Sequence, residues 1–391
     1  MKREEPSGIS TVFLAFFSVL VLVTAAYGAT IQTLYVSPSG NDNPDCGTSI
    51  TPCKTINYTL ANRAGSKAIL ELAAGTYTEN VVIDWDKDAI MINGGGAGVC
   101  KITGASTTAP ALKVDLAKFS FKGLGLSGGN KGLAINGARG EVQQCNIQKG
   151  IEVYTSNVSL RKVTVKNTKA NSPGIDVGSN STVDISSCTL SGSSGPALLI
   201  GHNSNLYMEN STVSGNNTGL TWALGAVFLM SNSSASLRDN TISANKAAGI
   251  SLQSGSTAQL MGGNKVTGNG TAASLESSFR CGISIAFNSH VDLNNYPATV
   301  AKDQISGNNG PGIWMMSKGD LMIMGAVIDA NNGDGIRLHG NSTANLTSGA
   351  VITNNQGYGV ACYDSANDSK YMGTPGTITG NTSGAYFCQH Y

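Results

Sequence analysis

From about residue 130 the chain repeats itself, and no other feature constrains its fold as tightly. A glycine followed by two apolar residues flanking a third recurs at Gly150-Ile-Glu-Val153, Gly174-Ile-Asp-Val177, Gly249-Ile-Ser-Leu252, Gly282-Ile-Ser-Ile285, Gly312-Ile-Trp-Met315, Gly335-Ile-Arg-Leu338 and Gly359-Val-Ala-Cys362. The clearest steps are 23 or 24 residues (150 to 174, 312 to 335, 335 to 359). A second element, a β-branched residue followed three positions later by asparagine, ends on Asn216, Asn245, Asn269, Asn308, Asn331, Asn355 and Asn381. Periods of this size belong to solenoids, propellers or arrays. Within each period apolar residues recur at +6, +8 and near +13: Val177 is followed by Val183, Ile185 and Leu190, and Met315 by Leu321, Ile323 and Ile328. Residues two apart line one face of a short strand. Three short strands per ~23 residues, joined by turns too short for helices, stack into three parallel sheets about 4.8 Å from strand to strand. The reading is an all-β chain, a parallel β-helix.

The asparagines then take a structural place. One amide per coil at a fixed turn can bond its neighbours above and below as a ladder. Cys145 and Cys188 fall at equivalent inward positions two coils apart, beyond disulfide reach, and read as core thiols. Composition excludes other classes. With 25 Lys+Arg against 24 Asp+Glu the net charge is +1, so no field steers the protein to nucleic acid or an anionic membrane. At 40% hydrophobic and 13% charged the chain does not have the composition of disorder.

Residues 1–28 read as a signal peptide. Ile9 to Ala26 is uncharged and mostly apolar, Lys2 and Arg3 precede it, and Ala26-Tyr27-Gly28 offers small residues for cleavage after Gly28. The alternative is an uncleaved anchor, the one way the sequence brings the protein to a membrane. Export suits the sequons, of which Asn57, Asn157, Asn180, Asn210, Asn232, Asn341, Asn345 and Asn367 are glycosylation candidates. Those at Asn216, Asn269 and Asn381 coincide with ladder positions. Cys46 and Cys53 enclose a short loop and read as a local disulfide in an oxidising compartment, while pairing of the other six cysteines is open.

The segment Tyr35-Val-Ser-Pro-Ser-Gly-Asn-Asp, then Cys46-Gly-Thr, Pro52-Cys-Lys-Thr-Ile56 and Gly75-Thr-Tyr-Thr-Glu79-Asn, resembles the start of secreted right-handed β-helix proteins of the pectin-lyase-like superfamily. The resemblance implies one right-handed solenoid over 29–391, with residues 29–80 as amino-terminal cap and first coil. Such a cap shields a sheet edge that would otherwise template aggregation. It does not bring an activity. Of the motifs polygalacturonases carry on successive coils, only Asp334 in Asn332-Gly-Asp-Gly335 has a counterpart, and the pectin methylesterase signature is absent.

Two outward-facing constellations remain. Glu152 and Asp176 occupy the same outward slot on neighbouring coils, about 5 Å apart by backbone. Carboxylates that close repel, which raises one pKa or draws in a cation. The resemblance makes calcium the natural ion, and the spacing also suits a retaining glycosidase. The second constellation lies where the turn from ladder asparagine to glycine lengthens, between Asn216 and Gly225, with Trp222, and between Asn269 and Gly282, with Glu276 and Arg280. Insertions of this kind mark binding faces in solenoids. Outward slots beside them hold Phe228, Met230, Gln253 and Trp314, with Arg337, His339 and Tyr363 further along. Aromatic faces among planar polar groups suit sugar rings. The sequence therefore points to a secreted β-helix that binds or organises extracellular polysaccharide or surface glycan. The alternatives are a polysaccharide lyase or glycoside hydrolase acting on polyuronides through Glu276, Glu152 or Asp176, and a surface or wall adhesin with a protein partner.

Overall fold

In the computed structural model the described residues are 31–219, 225–273, 275, 279–294, 301–347, 349–364 and 368–388. The signal-peptide segment and the residues Trp222, Glu276 and Asn367 lie outside them. From Gln32 onward the chain runs through three parallel sheets in fixed order. Among the described residues sheet A has 14 strands, from Gln32–Val36 to Lys370–Gly373. Sheet B has 13, from Gly75–Thr78 to Thr377–Thr379, and sheet C has 13, from Val81–Ile83 to Gly384–Phe387. Each strand pairs with its counterpart one coil earlier and one coil later, which is the expected parallel β-helix. Inward residues stack in columns; in sheet C, Val177, Ile200, Leu229, Leu252, Ile285 and Met315 are register partners in turn and all are buried.

Each of the three corners carries its own ladder. Between sheets B and C the backbone N–H of each asparagine donates to the side-chain oxygen of the next: Asn216 to Asn245 (3.0 Å), Asn245 to Asn269 (3.3 Å), Asn269 to Asn308 (3.0 Å), Asn308 to Asn331 (3.1 Å), Asn331 to Asn355 (3.0 Å) and Asn355 to Asn381 (3.0 Å). Their Nδ2 groups repeat the link and also reach strand carbonyls, as Asn308 does to Val266 at 3.1 Å. A buried amide with four polar sites is satisfied only in such a stack. Between C and A the sequence reading missed a serine ladder, in which Ser156, Ser181, Ser204, Ser233 and Ser256 donate N–H to the Oγ of the next, ending on Ser289. Between A and B the acceptors are mixed. Cys145 Sγ and Cys188 Sγ accept from Leu124 and Val163 at 3.4 Å, and then Ser211, Asn240, Asn264 and Asp303 continue the column. Both thiols are free and buried, and burial pushes each up to about 11.

The C–A corner also explains three sequons. Its turn residue is left-handed (Asn180 φ 60°, Asn232 φ 58°, Asn341 φ 63°), a conformation asparagine tolerates better than most residues. The next position is the ladder serine, and Ser or Thr then opens the strand. Asn-Ser-Ser/Thr is thus what this corner selects on structural grounds alone.

The amino-terminal cap uses the residues of the opening motif. Thr55 Oγ1 caps the helix Ile56–Asn62 by accepting from Tyr58 N, and Glu79 accepts from Ile56 N (2.8 Å) and Asn57 N (2.9 Å). Three of the helix's first N–H groups, which have no partner inside it, are thereby bonded. Asp42 accepts from Lys54 N and Thr55 N, and the Cys46–Cys53 disulfide closes the loop between. Ile56 and Leu60 cover the first coil. A second disulfide, Cys362–Cys388, ties the end of the last sheet C strand to the preceding coil. Among the described residues no helix is long and apolar enough to cross a membrane.

Candidate functional site

Sheet C presents two outward columns. One runs Glu152, Asp176, Leu199, Phe228, Ser251, Ser284, Trp314, Arg337; the other contains Tyr154, Met230, Gln253, Met316, His339 and Tyr363. Glu152 and Asp176 are register partners. Their repulsion is relieved by neighbours the sequence reading did not include. Lys131 Nζ lies 2.6 Å from Glu152, and the Tyr154 hydroxyl donates to Asp176 at 2.9 Å. Burial raises the Asp176 pKa, against the pull of the Tyr154 hydrogen bond and of Lys131. Lys131 sits in the turn before the preceding strand, so coil geometry and not chain proximity brings it here. For calcium the donor set fits poorly. One carboxylate is already paired with an ammonium and the other accepts from a phenol, and two carboxylates supply few of the roughly six to eight oxygens calcium takes.

Farther along, the expectation for Phe228 needs correction. It faces outward, yet it is buried, as are Ser251 and Ser284 on the next two coils. Alternation decides which way a side chain points, not whether other chain lies over it, and this stretch adjoins both long turns. Phe228 therefore cannot offer a ring face to a ligand. Gln253 and Arg280 are half-buried.

Beyond the covered stretch the rings meet one another. Trp314 and His339 stack with centroids 5.3 Å apart at 15°, and His339 and Tyr363 follow at 5.4 Å and 16°. The Arg337 guanidinium lies 5.1 Å from the Trp314 ring and 4.7 Å from that of Tyr363, and its Nε donates to Asp334 at 2.6 Å. Asp334 is buried and also accepts from Tyr358 N at 2.8 Å. Here the carboxylate partner of Arg337 was visible in the sequence only as a lone motif residue. The stack occupies both faces of His339. Burial lowers the His339 pKa, with Arg337 acting the same way and Asp364 and Asp334 opposing.

Several polar atoms near this stack are buried without a hydrogen-bond partner. Among the described residues they include Arg280 Nε, Trp314 Nε1, His339 Nε2 and Ser251 Oγ. An unmet buried donor costs roughly 1–3 kcal/mol, and native structures hold few of them. Arg280 Nε and Trp314 Nε1 can only donate, and His339 Nε2 does either according to tautomer. The other sequence-derived candidates are dispersed. Asn157, Asn180, Asn210, Asn232 and Asn341 are exposed, Asn345 is half-buried, and Asn57 is half-buried with its amide donating to Asn80 O at 3.0 Å.

Three stacked parallel sheets with laddered corners define the class: a parallel β-helix. The chain belongs to the family described as "Right handed beta helix region", whose model matches residues 131–296 and 290–373. No curated protein sequence matches it. Similar solved structures include the Geobacillus virus E2 ORF18 protein (10% identity, TM-score 0.44), of whose length this chain spans 61% while 84% of this chain is covered. The A-module of the mannuronan C-5 epimerase AlgE4 from Azotobacter vinelandii is 12% identical, with TM-score 0.41 and coverage of 83% of this chain and 89% of that one. Pectin methylesterase PemA from Erwinia chrysanthemi is 12% identical, with TM-score 0.37 and coverage of 67% and 81%.

Proposed function

We propose that this protein is an exported glycan-binding β-helix that takes its ligand at the downstream half of sheet C. The observation that carries the reading is the run of stacked planar side chains on this face, half-buried Trp314 and His339 with exposed Tyr363, beside the Arg337 guanidinium. Aromatic rings among a few polar groups suit the apolar faces and hydroxyls of sugar rings. Tyr363→Ala is the direct test, since it removes the exposed ring that stacks on His339. On a glycan array followed by calorimetry with the best binder, the variant should lose affinity, with thermal unfolding run in parallel to show that it is folded. Equal affinity would remove that ring from the site.

A second reading is kept for the upstream half. Glu152, ion-paired with Lys131, and Asp176, whose carboxyl burial pushes up, are register partners on neighbouring coils, and adjacent carboxyls of this kind serve acid–base chemistry on glycosides. Product release from polyuronides and neutral polysaccharides, compared between wild type and Asp176→Asn, tests it; no product from wild type excludes the reading.

A further inference from the structure

We propose that the protein forms a two-fold dimer through the first corners between sheets C and A, with the two solenoids side by side and antiparallel. The turn from sheet C to sheet A has two residues at Leu116-Ala117 and two at Gly137-Ala138, but six at Asp84-Trp-Asp-Lys-Asp-Ala89. That longer turn is pinned on several sides. Asp84 accepts from Trp85 N and Lys87 N at 2.8 Å, and Lys87 Nζ reaches Ala64 O in the cap at 3.1 Å. Asp88 accepts from Lys67 N at 2.8 Å and Lys118 N at 2.9 Å. A turn held this firmly nevertheless leaves the Trp85 indole 69% exposed. One coil on, Leu116 is 67% exposed and its backbone is left-handed (φ 54°). A bulky side chain takes that conformation at a cost, and on the following coil glycine supplies it, at Gly137 (φ 59°). The Leu116 side chain leans over that glycine, where a Cβ would collide with Leu116 Cδ2. Solvent and backbone both disfavour a leucine here, and burial against a partner offsets both.

Val82 and Met91, on the strands either side of the longer turn, are exposed as well. At 150–250 Å² for a large side chain, the four expose on the order of 400 Å² of apolar surface. That is close to the apolar share of the ~800 Å² each partner buries in a stable complex. The surrounding charges say which partner fits. Exposed Asp84 and Asp86 lie at the upstream end of the patch, and exposed Lys118 and Arg139, register partners on successive coils, at the downstream end. Within one copy Asp86 and Lys118 make only exposed ion pairs, 3.7 Å to Lys87 and 3.5 Å to Asp88, which contribute little. A two-fold axis across the corner at Leu116 exchanges upstream and downstream. The acidic end of one copy then meets the basic end of the other, and Trp85 lies over the second copy's Leu116 and Gly137. A surface of one sign, such as an anionic membrane, matches only half of this rim. Trp314 is eight strands along sheet C from the strand Leu112–Asp115, roughly 40 Å. The antiparallel pair therefore carries one ring stack towards each end and bridges two ligands.

The test is sedimentation velocity of the full chain over about 1 to 100 μM, where twice the single-chain mass should appear at the upper end. Trp85→Ser and Leu116→Gly should each weaken association about ten-fold or more. Glycine suits the left-handed backbone at 116, so that variant keeps the fold, which thermal unfolding checks. Asp86→Lys and Arg139→Glu should each weaken association too. The chain carrying both should recover it, because the exchanged charges face each other again across the two-fold axis. A wild type that stays monomeric at the top of the range overturns the proposal, as does a dimer that the four single substitutions leave unchanged. Failure of the charge exchange to restore association overturns the antiparallel order. Monomeric wild type that floats with phosphatidylserine vesicles, and stops floating with Trp85→Ser, assigns the corner to a lipid surface instead. No glycan enters the assay, so none of these results touches the glycan reading.

Discussion

Replacing Asp303 by asparagine should stabilise the protein near neutral pH and do so less as the medium is acidified. Asp303 closes the A–B ladder at a position where the two preceding coils use Asn240 and Asn264. It is fully buried and accepts from Asn264 N at 3.0 Å, Asn264 Nδ2 at 2.8 Å and Gly262 N at 3.3 Å. Even so, burial outweighs these donors and pushes its carboxyl from 3.8 to about 6, with Asp239 adding to the rise. Because the folded-state pKa is raised, the folded chain holds the proton more tightly than the unfolded chain between those values. The group's favourable contribution is complete below about pH 3.8 and lost as pH climbs through about 6. A shift of about two units corresponds to about 3 kcal/mol. The Asp303→Asn side chain carries no charge, and its amide oxygen keeps both bonds from Asn264. It forgoes the long bond from Gly262, worth roughly 1 kcal/mol. The net gain at pH 7 is therefore about 2 kcal/mol. Urea unfolding of both proteins at pH 7 and at pH 4 reads it directly. The variant should be ahead at pH 7 and should lose that lead at pH 4. A difference that is the same at both pH values would refute the reasoning, because it would mean that Asp303 titrates alike folded and unfolded.

Asn308→Ala should cost about 3 kcal/mol or more in the same assay, since it strands Asn269 N and Nδ2 without their shared acceptor inside the core. A cost under about 1 kcal/mol would mean the ladder closes over the gap. Trp314→Ala should lower both stability and glycan affinity, because it removes an indole that stacks on His339 and lies beside Arg337; thermal unfolding and calorimetry on one preparation separate the two effects. Opening Cys362–Cys388 with paired serines should leave the amino-terminal coils protected and expose the amides of Gly384–Phe387 to hydrogen exchange, because in a solenoid each coil contacts only its neighbours. Lys131→Met should raise the Asp176 pKa further, since the lysine is one of the groups holding it down, and a carboxyl titration followed by NMR would register the shift.

The coil, its three sheets and the asparagine ladder were legible in the one-dimensional pattern because a solenoid is built from local periodicity. A strand's facing residues alternate by two, the chain turns at fixed intervals, and the residue that bonds its own copy one coil away occupies the same place in every repeat. The serine ladder was legible in principle by the same logic. It was missed because Ser156, Ser181 and Ser204 lie among many other serines, whereas Asn follows a β-branched residue at constant distance. The Cys46–Cys53 closure was likewise local. What surrounds an outward side chain is a different kind of question. Alternation placed Phe228 and Trp314 in one column, but only the folded chain buries the first and stacks the second on His339. Glu152 and Asp176 were correctly adjacent, yet Lys131 and Tyr154, which pair with them, come from a turn and from the parallel column. Periodicity determines direction, since direction is set by each residue's own backbone. Cover, pairing and unmet hydrogen bonds depend on where other segments come to lie, and that is decided only when the coils are stacked.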